Sequence, residues 1–317
     1  MEHTRLIFAL NLPIALGYLF RKFRLFSAAE VVTLRKFVVQ VTIPFLIFRN
    51  LYKADISSVS QLVPSAAALL IMTTLYAVAT GLVSWLLTRD RSLRNSYIFS
   101  TSFGNYAYLG WGVMWAFFGE AGFSRALFFT IFFWPVFLLV GFAAIYLLKK
   151  SEPQGSQRSS RVGSVLLKNA LPPVLTATLA LTLNALKVPL PTLLWDLVDK
   201  FGAITIPMIL FTIGLSFSFQ MDKKRLGIIA LGTFTRIIPG ILVGLAAMGL
   251  VSLLFSVDPL TRKVIVLQSV MPTAATSPFF SDFIETDAAV ISGIMAFSTL
   301  FSLATIPLWF LVIQRFM

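Results

Sequence analysis

Between Arg262 and Ser281 the sequence reads RKVIVLQSVMPTAATSPFFS, an apolar run interrupted at Pro272-Thr273 and again at Ser277-Pro278. A proline in a helix interior removes one backbone hydrogen bond and clashes with the preceding turn, so a helix through this run breaks near its middle. A second stretch, Phe103 to Gly112, reads FGNYAYLGWG and places three glycines and Asn105 inside an otherwise continuous apolar segment. Glycine frees the backbone to leave helical geometry, and asparagine can bond its own turn or a ligand. Backbone groups released at such breaks are tolerated at membrane depth only where protein or a water-filled cavity satisfies them. Half-helix N-termini present unpaired N–H groups and positive partial charge, which is chemistry for holding an anion such as a carboxylate. Glycine also serves tight helix packing, but that accounts for an isolated glycine and leaves the paired break unexplained.

Around these breaks the candidate substrate-binding residues are Gly104, Asn105, Tyr106, Arg236, Gln268, Pro272, Thr273 and Thr276. Asn105, Gln268 and Thr273 rank first, as neutral hydrogen-bonding groups at the breaks. Gln268 lies one turn before Pro272, where a helix–helix hydrogen bond is an equally good role. Arg236 follows the basic edge Lys223-Lys224-Arg225 by eleven residues. At about 1.5 Å per residue this puts it near the bilayer centre, where a charge is expensive and is a functional candidate. It can attract an anionic substrate or hold carbonyls at the broken helices. Pro44 and Pro207 are assigned to helix shape. Asp196, Asp199 and Lys200 form a helical cluster that reads as a solvated helix end, with proton coupling as the competing role. Asp282, Glu285 and Asp287 read as an acidic turn that only stays hydrated.

The elements that position these residues follow from composition. Of 317 residues, 57% are hydrophobic and 12% charged, and the mean hydropathy is +0.86. Apolar runs of about 20 residues recur along the whole chain, the mark of a helical polytopic membrane protein. The chain has no cysteine and a single histidine, His3, so thiol chemistry, disulfides and intramembrane imidazole chemistry are excluded. The net charge of +13 falls between apolar runs, which is the positive-inside pattern and not a nucleic-acid footprint. Ten spans are expected, at 5–21, 30–52, 62–88, 95–118, 123–148, 164–186, 191–217, 226–255, 260–281 and 287–313. The first lacks a basic leader and a small-residue cleavage site and is kept as a span. Odd-numbered loops hold 13 of the 26 Lys and Arg residues against five in the even-numbered loops, which places the odd loops in the cytoplasm and both termini outside.

The polar stretch Ser151 to Gly163 separates two halves that resemble each other. Thr42-Ile43-Pro44 in the second span matches Thr205-Ile206-Pro207 in the seventh, and Asn11-Leu12-Pro13 resembles Asn169-Ala170-Leu171-Pro172. Arg94 and Arg262, and Gly104 and Pro272, are both separated by 168 positions. Five spans per half, an odd number, force the second half to enter the membrane from the opposite side. The expected fold is therefore all-α, with two inverted five-helix repeats, 1–148 and 164–317, joined by a cytoplasmic linker at 149–163. Spans four and nine would be broken and cross at mid-membrane. An inverted repeat with corresponding interrupted segments points to a secondary transporter whose site lies near the midplane.

With Leu16-Gly17-Tyr18, Thr42-Ile43-Pro44, Gly104-Asn105, Leu109-Gly110, Met271-Pro272-Thr273-Ala274 and Ala304-Thr305-Ile306-Pro307, the chain resembles the auxin efflux carrier family over nearly its whole length. That family includes plant PIN transporters and bacterial malate permease-like carriers. The resemblance implies a scaffold of spans 1, 2, 6 and 7, a moving unit of spans 3–5 and 8–10, an elevator-type cycle, a homodimer, and organic anions as substrates. The sequence departs from the family at span four, which has no proline at its break and carries the bulky Tyr106-Ala107-Tyr108. The short central loop is that of a bacterial or short-type carrier. The expected function is transport of a dicarboxylate or auxin-like weak acid across the plasma membrane, the inner membrane in a bacterium. No cofactor is called for; proton or sodium coupling stays open, and lipid is the other partner. The alternative is a non-transporting ligand sensor, while an enzyme is the poorest fit because intramembrane reactive groups are missing.

Overall fold

The computed structural model describes residues 2–53, 60–149, 171–215 and 225–317. The linker from Lys150 onward, with Asn169-Ala170, Lys223 and Lys224, lies outside the described residues. Within them the chain is helical, with one isolated antiparallel bridge. The helices are α1 (Glu2–Lys22), α2 (Ala28–Phe37), α3 (Ile43–Tyr52), α4 (Leu62–Leu87), α5 (Arg91–Ser102), α6 (Tyr108–Thr130) and α7 (Phe133–Lys149). They continue as α8 (Leu171–Ala185), α9 (Thr192–Leu215), α10 (Leu226–Ile237), α11 (Gly240–Leu254), α12 (Pro259–Ser269) and α13 (Ala288–Phe316). A π-helical turn, Val38–Thr42, joins α2 to α3, and a 3-10 turn, Ser277–Asp282, follows the second break.

Helix starts follow from acidic and hydroxyl caps, which satisfy the orphan N–H groups of a first turn. Ser27 and Glu30 form a capping box on α2. Asp90 accepts from the Leu93 amide at 3.1 Å to start α5, and Asp258 accepts from the Thr261 amide at 2.7 Å to start α12. These two caps carry the same 168-residue offset as the two breaks, so the correspondence between halves extends to the helix starts. Gly119, at φ +65°, interrupts α6 where the fourth span was expected to end. A residue with a Cβ is strained in that conformation.

Among the described residues, five helices are long and apolar enough to cross a bilayer: Ala29–Tyr52, Leu62–Leu87, Thr192–Leu215, Leu226–Leu254 and Ala288–Phe316. The bent pair Tyr108–Thr130 and Phe133–Leu148, with 42° between its parts, makes up to six. Ten spans were expected, and two of those outside this set, the fourth and the ninth, are interrupted. Helices α5 and α12 have 12 and 11 residues. At about 1.5 Å per residue each reaches only about half of a 30 Å hydrocarbon core.

Polarity is distributed as lipid demands. Leu86 is 89% exposed, whereas Arg236 is 0% exposed and Thr273, Gln268, Ser100 and Ser298 are buried. Large apolar side chains lie on the surface as well as in the core, while these polar ones are drawn inside, as a lipid environment requires. Helix α1 packs on α9, and α3 packs on α8 and α9. The repeated motifs meet directly, with the Thr205 hydroxyl donating to the Thr42 carbonyl at 3.0 Å. Elsewhere α4 packs on α5, α6 and α11, α10 on α13, and α12 on α6 and α11.

Two acidic clusters depart from expectation. Asp199 pairs with Arg49 of α3 at 2.6 Å, so it joins two helices and is more than a solvated helix end. Asp287 caps α13 through the amides of Ala289 and Val290 and pairs with Arg225 at 2.5 Å. The acidic turn is thus a structural junction. The pairing partners lie far away in sequence, which is why spacing alone did not show them.

Candidate functional site

Two non-helical segments, one between α5 and α6 and one after α12, pair antiparallel at Gly104 and Thr273. The Asn105 amide donates to the Pro272 carbonyl at 2.7 Å, and the Ala274 amide donates to the Phe103 carbonyl at 2.8 Å. Two backbone groups released by each break are thereby satisfied by the other, as lipid demands. Thr273 adds two links: its hydroxyl donates to the Ser100 carbonyl at 2.8 Å, and its amide donates to the Ser298 hydroxyl at 3.1 Å. Gln268 Nε2 donates to the Tyr106 carbonyl at 3.2 Å, while its Oε1 is buried with no partner among the described residues.

Arg236 closes the same region from α10. Its Nε donates to the Met271 carbonyl at 2.7 Å, Nη1 to the Thr101 carbonyl at 3.2 Å and Nη2 to the Tyr106 hydroxyl at 3.0 Å. The guanidinium lies 4.2 Å from the centre of the Tyr76 ring, a cation–π distance. The Tyr76 hydroxyl in turn donates to the Ser269 carbonyl at 2.7 Å. Gly104 is required for this approach, because a Cβ there would fall 1.9 Å from Arg236 Nη2. Of the two roles open to Arg236, the contacts are those of a carbonyl anchor.

Beside the paired segments lies a cavity of about 550 Å³, a size usual for small-molecule sites. One wall is Gln40, Ile43, Pro44, Ile47 and Leu51 from the α2–α3 span. Gly104, Asn105, Tyr106, Ala274, Ala275 and Thr276 form the polar end, and Trp111, Leu127, Thr130, Phe133 and Trp134 complete the apolar side. Pro172 and Ala177 of α8 close it. Asn105 Oδ1 accepts from the Leu109 amide at 3.2 Å and so caps the start of α6. The amides of Tyr106, Ala107 and Tyr108, and those of Ala275 and Thr276, meet no acceptor among the described residues. The Thr276 hydroxyl is also unpartnered among them.

The eight residues singled out from the sequence divide by place. Gly104, Asn105, Tyr106 and Thr276 line the cavity, and Arg236, Gln268, Pro272 and Thr273 lie behind it and tie the two segments together. Sequence reasoning missed Tyr76, Ser298, Gln40 and Trp134. It also gave Pro44 to shape, whereas Pro44 lines the cavity as well as opening α3. The one available signal was the repeated Thr-Ile-Pro, which marked the segment without indicating which way it faced.

A family model described as membrane transport protein matches residues 5–310. An uncharacterized transporter of Methanothermobacter thermautotrophicus is 26% identical over 323 residues, covering 99% of each chain. An uncharacterized transporter of Methanocaldococcus jannaschii is 26% identical over 314 residues, covering 93% of this chain and 94% of the relative. With paired breaks inside an inward-polar helical bundle and a match over almost its full length, this multi-pass membrane chain belongs to the membrane transport protein family, that of the auxin efflux carriers.

Proposed function

We propose that the protein is a secondary carrier for organic carboxylates, binding the anion in the cavity between the α2–α3 span and the paired segments. The observation that carries this reading is that five residues whose amides meet no acceptor among the described residues, Tyr106 to Tyr108, Ala275 and Thr276, line one cavity. Two helical starts present positive partial charge there, and the Asn105 side chain and Thr276 hydroxyl stand beside them. The remaining walls are mostly apolar and aromatic, with Gln40 and Thr130 among them and no Lys, Arg, Asp or Glu among the described lining residues. A second carboxylate would find no cationic partner among the described lining residues, so a weak monocarboxylic acid with an apolar body fits better than a dicarboxylate.

The same reading takes the chain as two inverted five-helix repeats, 1–148 and 164–317, with broken spans four and nine crossing at the site. Spans 1, 2, 6 and 7 form a scaffold, and spans 3–5 and 8–10 move against it as an elevator. The cavity supports this division, because α3 and α8 supply one side and the paired segments the other. The carrier works as a homodimer in the plasma membrane with both termini outside. With the cytoplasm negative, export of an anion is favoured by about 2.3 kcal/mol per charge per 100 mV.

The test is flux of labelled indole-acetate and malate into proteoliposomes under an imposed potential. Saturable, potential-dependent movement of indole-acetate in excess of malate is expected. No flux of any carboxylate in either direction would overturn the reading, and ligand-induced stabilisation without flux would point to a sensor.

A further inference from the structure

Arg94, at the start of α5, is a buried charge without a compensating partner. It is 8% exposed, its Nε is shut off from solvent, and among the described residues its side chain makes no hydrogen bond and no ion pair. Buried charges are normally paired or hydrogen-bonded, because leaving water without a partner is costly. Arginines of other basic edges are satisfied within the chain: Arg21 Nη1 donates to the Phe26 carbonyl at 3.1 Å, and Arg225 pairs with Asp287. What Arg94 does meet is the ring of Trp85 in the last turn of α4, at 4.4 Å from the ring centre. A ring face attracts the charge but leaves the in-plane N–H donors of the guanidinium for another acceptor.

Trp85 is 66% exposed, and Val78, Leu82 and Leu86, successive turns on the same side of α4, are exposed as well. This lipid-facing stripe ends at the turn Arg89-Asp90-Arg91, so three arginines, Arg94 included, stand there against one carboxylate. Asp90 is engaged as the cap of α5 through the Leu93 amide. We propose that Arg94, stacked on Trp85, is the headgroup site of an anionic phospholipid, with the phosphate accepting from the guanidinium and an acyl chain lying along Val78, Leu82 and Leu86. The planar fork of an arginine matches two phosphate oxygens, and a tryptophan near a span end sits at the depth of lipid headgroups. A soluble phosphate would meet the same guanidinium but gain nothing from the apolar stripe, which favours the lipid. With both termini outside, as proposed above, this edge is cytoplasmic, on the leaflet whose surface is negatively charged. The site shares no residue with the cavity, so lipid binding is independent of the carrier reading.

The experiment titrates the purified full chain, in neutral detergent, with dioctanoyl-phosphatidylglycerol, dioctanoyl-phosphatidylcholine and inorganic phosphate, read by thermal melting and native mass spectrometry. Phosphatidylglycerol is expected to bind saturably and raise the melting temperature, with phosphatidylcholine and phosphate at least about tenfold weaker. Arg94→Gln is expected to weaken phosphatidylglycerol binding about tenfold without lowering the melting temperature of the lipid-free protein, because the charge it removes has no partner to lose. Arg24→Gln removes an equal charge from another basic turn and is expected to change the affinity less than about twofold. Trp85→Leu, at an exposed position, is expected to weaken binding about threefold, and it reads the site even if Arg94→Gln does not fold. Equal binding of the two lipids, phosphate bound as tightly as phosphatidylglycerol, or equal losses in Arg94→Gln and Arg24→Gln would overturn the proposal. Unchanged lipid affinity in Arg94→Gln, or in Trp85→Leu where Arg94→Gln does not fold, would overturn it as well.

Discussion

The Asn105 amide donates to the Pro272 carbonyl at 2.7 Å while the Asn105 side chain caps the start of α6, so one residue both joins the two breaks and borders the cavity. These two roles are separable by substitution. Asn105→Ala removes the side-chain acceptor at the Leu109 amide and is expected to cost about 1 kcal/mol of stability. Carboxylate affinity should fall about tenfold with it, through the lost hydrogen bond. Asn105→Asp keeps the cap and suits the positive helix start, so its melting temperature should match or exceed the wild type. The added negative charge should nevertheless abolish carboxylate binding. Melting curves alongside a ligand titration check both directions.

Gly104 sits where a methyl group would meet Arg236 Nη2 at 1.9 Å and the Tyr106 ring at 2.3 Å. Gly104→Ala is expected to destabilise by about 1–3 kcal/mol through overpacking, with flux lost. Gly81, inside α4, has no atom within 4 Å of the corresponding position. Gly81→Ala should be neutral or stabilising by up to about 1 kcal/mol through helix propensity. Thermal melting of the two variants in one detergent makes the comparison.

Trp134 contributes its ring to the apolar side of the cavity and lies against the Phe133 and Phe137 rings, at 5.9 and 5.5 Å between centroids. Trp134→Ala enlarges the cavity. Affinity for an aromatic carboxylate should fall about three- to tenfold, from the loss of about 0.5–1.5 kcal/mol of ring contact. Bulkier acids that the wild type rejects should gain access. Competition of a series of acids against one labelled carboxylate reads the change in selectivity.

The ion pair between Arg49 and Asp199 joins α3 to α9, but the Asp199 side chain is 43% exposed. Solvent screening limits such a pair to about 1 kcal/mol or less. Asp199→Asn should therefore shift the melting point little, and the shift should shrink with added salt. A double-mutant cycle with Arg49→Gln measures the coupling.

Much of the site was legible because proline and glycine announce backbone that leaves the helix. Pro272 and Gly104 marked both breaks, and the shared offset between halves paired them before any geometry was known. Arg236 was legible as an expensive charge at membrane depth, but its partners were not. Two of them are backbone carbonyls, of Thr101 and Met271, and a carbonyl carries no residue identity. Tyr76 and Ser298 were hidden for a related reason, since each reaches the breaks through space from a helix with no punctuation at that point. The facing of Pro44 was likewise invisible, because a kink-forming proline and a cavity-lining proline read alike in sequence. The expected number of spans depended on counting apolar residues, whereas α5 and α12 are half-length helices whose membrane role rests on what they pair with.

The proposed anion site consists of the amides at Tyr106 to Tyr108 and at Ala275 and Thr276, which meet no acceptor among the described residues. Its most direct test compares binding of indole-acetate with that of its neutral amide, indole-acetamide, to the purified protein at one ionic strength. The two ligands share an apolar body and differ in the charge presented to the amides. Saturable binding of the carboxylate is expected, with the amide at least about tenfold weaker. Equal affinities, or tighter binding of the amide, would contradict it.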